Sequence, residues 1–304
     1  MQSVIRTENL VKRFRKVEAL RGLDIEVPVN SIYALVGPNG AGKTTAIKIL
    51  MNILQPTSGR AEVLGRPSAE LAGGALAPIG YVSENQDLPE SMAVGAFLSY
   101  LRPFYPTWDP QLEDQLVRRF GLPLERKLRH LSRGMRMKVA LTSSLAYRPA
   151  LIVLDEPFTG LDPLVRDELI QVLASFAGEV TVLVSTHDLA EVEAFATHVG
   201  HLESGRLLFS DQLVALSNRF REVEVILDAP APDRASWPDP WLQIAASDNR
   251  VRFIDSDFDP VRTPERIRAE FENVGEVCFT PMSLRSIFIA VARSGAARKS
   301  REDA

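Results

Sequence analysis

The 304-residue chain is long enough for one full-sized α/β domain and a smaller second one. Lys and Arg number 35 against 39 Asp and Glu, and the resulting net charge of −4 gives no broad attraction for nucleic acid or an anionic membrane. The single cysteine, Cys278, excludes an intrachain disulfide and a cysteine-cluster metal site, and no apolar run approaches the ~18–20 residues that span a bilayer.

The opening stretch "MQSVIRTENLVKRF" lacks the apolar core of a signal peptide, so the chain is expected to stay in water and to need another polypeptide for any membrane process. "SIYALV" then reads as a buried strand and "TTAIKILMNIL" as an amphipathic helix. Between them, Gly37, Gly42, Lys43 and Thr44 match the spacing G-x-x-x-x-G-K-[ST] in its required strand-to-helix context. A glycine loop entering a helix points several N–H groups and the positive end of the helix dipole at one small volume, which suits a polyphosphate. The loop Gly37, Pro38, Asn39, Gly40, Ala41, Gly42, Lys43, Thr44 and Thr45 is therefore the candidate phosphate site. Backbone N–H groups of residues 40–45 would cradle the α- and β-phosphates, Lys43 would reach the β- and γ-phosphates, Thr44 would bind Mg²⁺, and Thr45 would reach the α-phosphate.

A strand, "IGYVS", follows, and from Pro89 to His130 the pattern turns helical and aromatic. Phe97, Tyr100, Phe104, Tyr105 and Trp108 are mostly expected in the core of a helical insertion at about 87–147, with helices at about 109–120 and 132–147. The strand "ALIVLD" ends in Asp155, which places a carboxylate where it can hold Mg²⁺ through water opposite Thr44. Glu156 points to another side and can serve as general base for an attacking water. A helix restarts near 163, the strand "VTVLVST" follows, and another helix restarts near 188. This alternation predicts a mostly parallel sheet covered by helices.

After residue 228, "DAPAPDRASWPDPW" packs four prolines into a polar stretch and reads as a linker or irregular excursion. Around it, the strands "EVEVIL", "VRFID" and "GEVCFT" and the helices "PERIRAEF" and "SLRSIFIAVA" suffice for a small α+β unit over 221–304, with a frayed tail "RSGAARKSREDA". Cys278 is expected as a plain core or strand residue. The expected domains are thus 1–220 and 221–304.

The set "GPNGAGKTT", "LSRGM", "LIVLDEP", "TGLD" and "VSTHD" resembles the ATP-binding cassette (ABC) family over about residues 1–215. The resemblance implies a P-loop NTPase cassette with a mostly parallel sheet and a helical insertion. In activity, it implies the ATP-binding and hydrolysing subunit of an export-type ABC transporter. It further implies that Ser132 and Gly134 form a second anion site closing over ATP held by another subunit, that Asp162 also contacts across that interface, and that His187 contacts the γ-phosphate and orients Glu156. Phe14 would stack on adenine. The loop ligand for Mg²⁺ falls on Glu84, with Gln86 as the alternative two residues on. Two departures stand out: the signature carries Arg133 and Met135 where the family most often has Gly and Gln, and Glu84 fills the place where the loop usually holds a glutamine. The implied cofactors are ATP and Mg²⁺, and the implied partners are a second cassette, identical or not, and a separate integral membrane permease, with the chain on the cytoplasmic face. Two other readings differ in class: a soluble ATPase of this family acting on nucleic acid or ribosomes, and a regulatory cassette whose C-terminal unit binds a ligand or partner.

Overall fold

The computed structural model describes residues 2–84, 86–232, 237–291 and 293. Its contacts divide the chain into two compact units, Met1–Ser210 and Asp211–Ala304.

The first unit opens with β1 (Ser3–Phe14), β2 (Val17–Leu23) and β3 (Glu26–Pro28), enters β4 (Ile32–Val36), and passes through the glycine loop into α1 (Lys43–Leu50). It returns in β5 (Ser58–Val63) and β6 (Arg66–Pro67). β1 pairs antiparallel with β2, β3 and β5, and β6 adds to β5, an arrangement that the expected βα alternation did not contain. Ile5, Leu10, Leu20, Leu23 and Val63 of this sheet join Ile47 and Leu50 of α1 and Leu35 and Val153 of the second sheet in one apolar cluster. Helix α1 is thereby held by packing on both sides, and the loop before it is anchored.

Next come β7 (Ile79–Ser83), the helices α2 (Val94–Leu101), α3 (Pro110–Arg119) and α4 (Arg133–Leu145), and β8 (Leu151–Asp155). The unit continues through α5 (Pro163–Ser175), β9 (Thr181–Thr186), α6 (Leu189–Glu193), β10 (His198–Glu203) and β11 (Arg206–Gln212). The second sheet runs β11-β10-β4-β9-β8-β7, and its pairs from β10 to β7 are all parallel. Every residue of β4, β8 and β9 is buried, as expected of parallel strands covered on both faces. The register sets Val36 beside Thr186 and Ser185 beside Asp155, so three chain segments far apart in sequence end side by side.

In the helical insertion, Phe97 is buried, but Tyr100 and Phe104 are exposed and face each other at 5.3 Å, which corrects their expected place in the core. Tyr100 sits off the buried stripe of Val94, Phe97 and Leu98, and a 3₁₀ turn at Arg102–Phe104 containing Pro103 ends α2 before Phe104 can turn inward. Helix α3 begins on Asp109, whose carboxylate accepts from the N–H groups of Gln111 and Leu112, with Pro110 at its first position.

The second unit starts earlier than the expected residue 221. Helix α7 (Leu213–Arg219) belongs to it, with the Arg219 carbonyl accepting from the Phe258 N–H and its guanidinium pairing with Asp211. β12 (Arg221–Leu227), β13 (Trp241–Ser247), β14 (Arg250–Asp255), α8 (Arg262–Glu270) and β15 (Val274–Pro281) follow, and residues 284–291 are helical. The sheet order is β13-β14-β12-β15, with every pair antiparallel. Strand β13, directly after the proline-rich stretch, was not expected. Trp241 brings it in by stacking on Phe253 at 4.0 Å, within a core that also holds Val223, Val225, Ile267 and Phe271. Cys278 lies on β15 and is exposed. Of the expected tail, residues 294–304 lie outside the described residues, as do 233–236 of the proline-rich stretch.

Candidate nucleotide site

Glycine is required at two places in the loop before α1 for different reasons. At Gly37, a Cβ would lie 2.1 Å from the backbone oxygen of Leu202. At Gly42, the N-cap of α1, φ is +112° and a Cβ would lie 2.6 Å from the Ala19 oxygen. Only a residue without a side chain allows both the close approach and the left-handed turn. Gly37→Ala is expected to cost about 1–3 kcal/mol, as overpacking against backbone does. Thermal unfolding should then show a midpoint lowered by several degrees, and an unchanged midpoint would mean that the loop can move away from Leu202.

Lys43 is only 5% exposed, and its ammonium donates to the carbonyls of Gly37 at 2.6 Å and Pro38 at 3.2 Å and pairs with Glu156 Oε1 at 3.0 Å. At the next position of the helix, Thr44 Oγ1 donates to Asp155 Oδ1 at 3.0 Å, and Ser185 Oγ donates to the same oxygen at 2.7 Å. Ser185 Oγ also accepts from the Glu156 N–H, so one hydroxyl on β9 ties down both acids at the end of β8. Glu156 takes φ +49°, a left-handed conformation that costs a non-glycine residue about 1–3 kcal/mol and that here turns its side chain away from the course of the strand. Its Oε2 lies 2.9 Å from His187 Nδ1 and accepts from Thr159 Oγ1 at 3.1 Å.

The two neighbouring acids are tuned in opposite directions. Burial pushes the Asp155 carboxyl up, and the hydrogen bonds from Ser185 and Thr44 recover only part of that shift. Burial also pushes Glu156 up, but hydrogen bonds and charge from His187 and Lys43 outweigh it and hold this carboxyl below its usual range. Around these groups lies a cavity of ≈ 230 Å³ lined by Ala19, Asn39, Gly40, Gly42, Lys43, Thr44, Thr45, Glu84 and Glu156.

A family model described as ABC transporter matches residues 20–159. The lantibiotic transport ATP-binding protein SrtF of Streptococcus pyogenes is 31% identical over 212 residues, covering 69% of this chain and 91% of SrtF. The bacitracin transport ATP-binding protein BcrA of Bacillus licheniformis is also 31% identical over 212 residues, covering 68% of this chain and 69% of BcrA. The chain belongs to the ABC transporter ATP-binding family. A solved ATP-binding subunit of an ABC transporter, 26% identical, superposes with a TM-score of 0.64 over 70% of this chain and 92% of that one. The chain is thus an ATP-binding cassette with ATPase activity, on a P-loop NTPase fold.

Not every expected residue of the cassette reaches the cavity. Ser132 caps α4 by accepting from the Met135 N–H at 3.3 Å, and Asp162 caps α5 by accepting from the Val165 N–H at 3.0 Å. A Cβ on Gly134 would meet the Val165 side chain at 2.9 Å, so the N-termini of α4 and α5 lie against each other. Neither Ser132, Gly134 nor Asp162 lines the cavity that holds Lys43. Phe14 is 44% exposed, with the Lys12 ammonium 5.0 Å from its ring centre, and is not a core residue. Between the two loop candidates, Glu84 lines the cavity. Gln86 instead lines an adjoining space with Tyr81, Phe97 and Tyr147, and its Oε1 is buried with no partner among the described residues. Sequence reasoning missed Ser185 and Thr159. Both lie within stretches that carry the motifs, but a hydroxyl two residues before a histidine has no spacing rule that marks it.

Proposed function

We propose that this cassette is the ATP-hydrolysing subunit of an export-type transporter, paired head to tail with a second cassette beneath a separate membrane permease on the cytoplasmic face. The observation that supports the pairing is the split of the machinery. Lys43, Thr44, Glu84 and Glu156 line one cavity, whereas the anion-binding N-terminus of α4 at Ser132 lies outside it. A single phosphate loop then needs a Ser132 from another chain to complete its site. The names of SrtF and BcrA, which refer to lantibiotic and bacitracin transport, favour a permease-linked role. No described helix is long and apolar enough to cross a membrane, so the permease is a different chain in this reading.

In the proposed mechanism Glu156 takes the proton of the water that attacks the γ-phosphate, and His187 holds the carboxylate through its 2.9 Å contact. Lys43 is shared: when it turns to the phosphates it leaves Glu156. That removes one of the influences holding the carboxyl low, so Glu156 becomes a stronger base as the substrate seats. The oxygens of Thr44, Asp155 and Glu84 suit a hard cation, and the burial that pushes Asp155 up is what a divalent ion would relieve. When bound, Mg²⁺ would neutralise phosphate charge. Ser132, Gly134 and Asp162 would act on the partner's ATP, and the exposed ring of Phe14 would stack on adenine.

Tagged protein expressed in its source cell and purified from detergent-solubilised membranes should carry a chain with several apolar spans. Co-purification with ribosomes or DNA alone would favour the soluble reading instead. Glu84→Ala should leave nucleotide affinity within a few-fold and weaken the stimulation of ATPase activity by the permease. If Gln86→Ala shows that loss in reconstituted vesicles and Glu84→Ala does not, the loop ligand is Gln86.

A further inference from the structure

The signature helix α4 carries a cation where helix physics disfavours one. Arg133 is its first residue, beside the positive end of the dipole, where a cation costs about 0.3–1 kcal/mol. Its contacts explain the placement. Arg133 Nη2 donates to Glu84 Oε1 at 2.8 Å. Its guanidinium also lies against Gly160, where a Cβ would stand 3.1 Å from Nη1, and Gly160 needs its left-handed φ of +70°. One side chain thus joins the loop after β7, the loop after β8 and the start of α4. Glu84 in turn lines two cavities, the phosphate cavity with Lys43 and a ≈ 430 Å³ cavity with Arg133 and Arg136.

The charges around the phosphate cavity show what this pair does. Asp155 is held by Thr44 and Ser185, Glu156 by Lys43 and His187, and Glu84 by Arg133, so each of the three acids has its own partner. Free of Arg133, the Glu84 carboxylate would add a negative charge to a site built for phosphate. We propose that Arg133 is a positioning residue for Glu84: its guanidinium holds the carboxylate toward the N-terminus of α4, and Glu84 engages the phosphate site only when that pair opens. Arg133 of the signature and Glu84 of the loop, one residue from each departure from the family pattern, then form one device, in which movement of Glu84 is tied to the anion site of the same chain. This rests on reading Glu84 as the loop ligand.

The test is a double-variant cycle on the full chain with Arg133→Gln, Glu84→Ala and both, plus the charge exchange Arg133→Glu with Glu84→Arg. Without nucleotide, each single variant should speed amide hydrogen exchange of residues 86–88 by about two- to fivefold, the range expected of a half-exposed ion pair. The double variant should add nothing further, and the charge exchange should restore protection. In a Glu156→Gln background that stops turnover, Arg133→Gln should tighten Mg-ATP binding by about the same factor, because the competing pair is gone. It should have no such effect when Glu84 is alanine or when Mg²⁺ is chelated. Additive exchange effects, or protection not restored by the charge exchange, would overturn the pair. Coupled exchange with unchanged Mg-ATP affinity would make Arg133 a structural brace and overturn its positioning role. If Glu84→Ala by itself leaves the gain in ATP affinity on adding Mg²⁺ as in the wild type, the reading of Glu84 as ligand fails, whatever the exchange shows.

Discussion

Glu156→Gln should lower ATP turnover by about two to four orders of magnitude, the range for removing a general base, while ATP still binds. The amide keeps the shape, and its remaining oxygen can still accept from one of Lys43 and His187, which now hold the two carboxylate oxygens separately. It cannot take a proton from water. The pairing with Lys43 is also weakened, so the lysine turns to the phosphates more easily and the ATP-bound dimer should accumulate. Gel filtration with and without Mg-ATP, beside a phosphate-release assay, measures both effects. Near-normal phosphate release would remove Glu156 from the role of base.

The second large effect is a restoration. Lys43→Ala destroys the phosphate loop of a chain but leaves its Ser132, and Ser132→Arg blocks the anion site but leaves Lys43. Each homodimer then has both composite sites broken. A mixed dimer rebuilds one site from the lysine of the second chain and the serine of the first, and damages the other twice. Equal mixing should return about a quarter of wild-type activity, since half of randomly paired dimers are mixed and each has one intact site. Ser132→Arg also removes the cap on the Met135 N–H, a loss of about 1 kcal/mol, so its melting point is measured alongside. Dimers of wild-type and Lys43→Ala chains, isolated with two tags, must be active for the comparison to count. If they are active and the complementing pair stays dead, the catalytic groups come from one chain and the head-to-tail arrangement fails.

The sequence by itself determined the phosphate loop and the central strands, because both are encoded locally. The turns at Gly40 and Gly42 need left-handed backbone, and the run into α1 follows within a few residues, so spacing alone identifies the site. The apolar runs of β4, β8 and β9 likewise announce strands buried on both faces. The cassette signature at Ser132 was legible too, but only as a pattern.

What the tertiary structure decided is everything that depends on pairing between distant segments. The alternation at the N-terminus did not reveal an antiparallel sheet, because β1 finds partners from Val17 to Val63 and its register is set by those contacts. Strand β13 exists because Trp241 stacks on Phe253, a contact that no local propensity encodes after a run of prolines. In the site itself, sequence order could place Asp155 and Glu156 at a strand end. It could not show that Ser185 binds both, that Lys43 is already paired with Glu156, or that Glu84 and Arg133, 49 positions apart, hold each other. A residue's type and its neighbours in sequence fix its backbone options, whereas the partner that satisfies a buried or half-buried charge is chosen only when the sheet brings strand ends together.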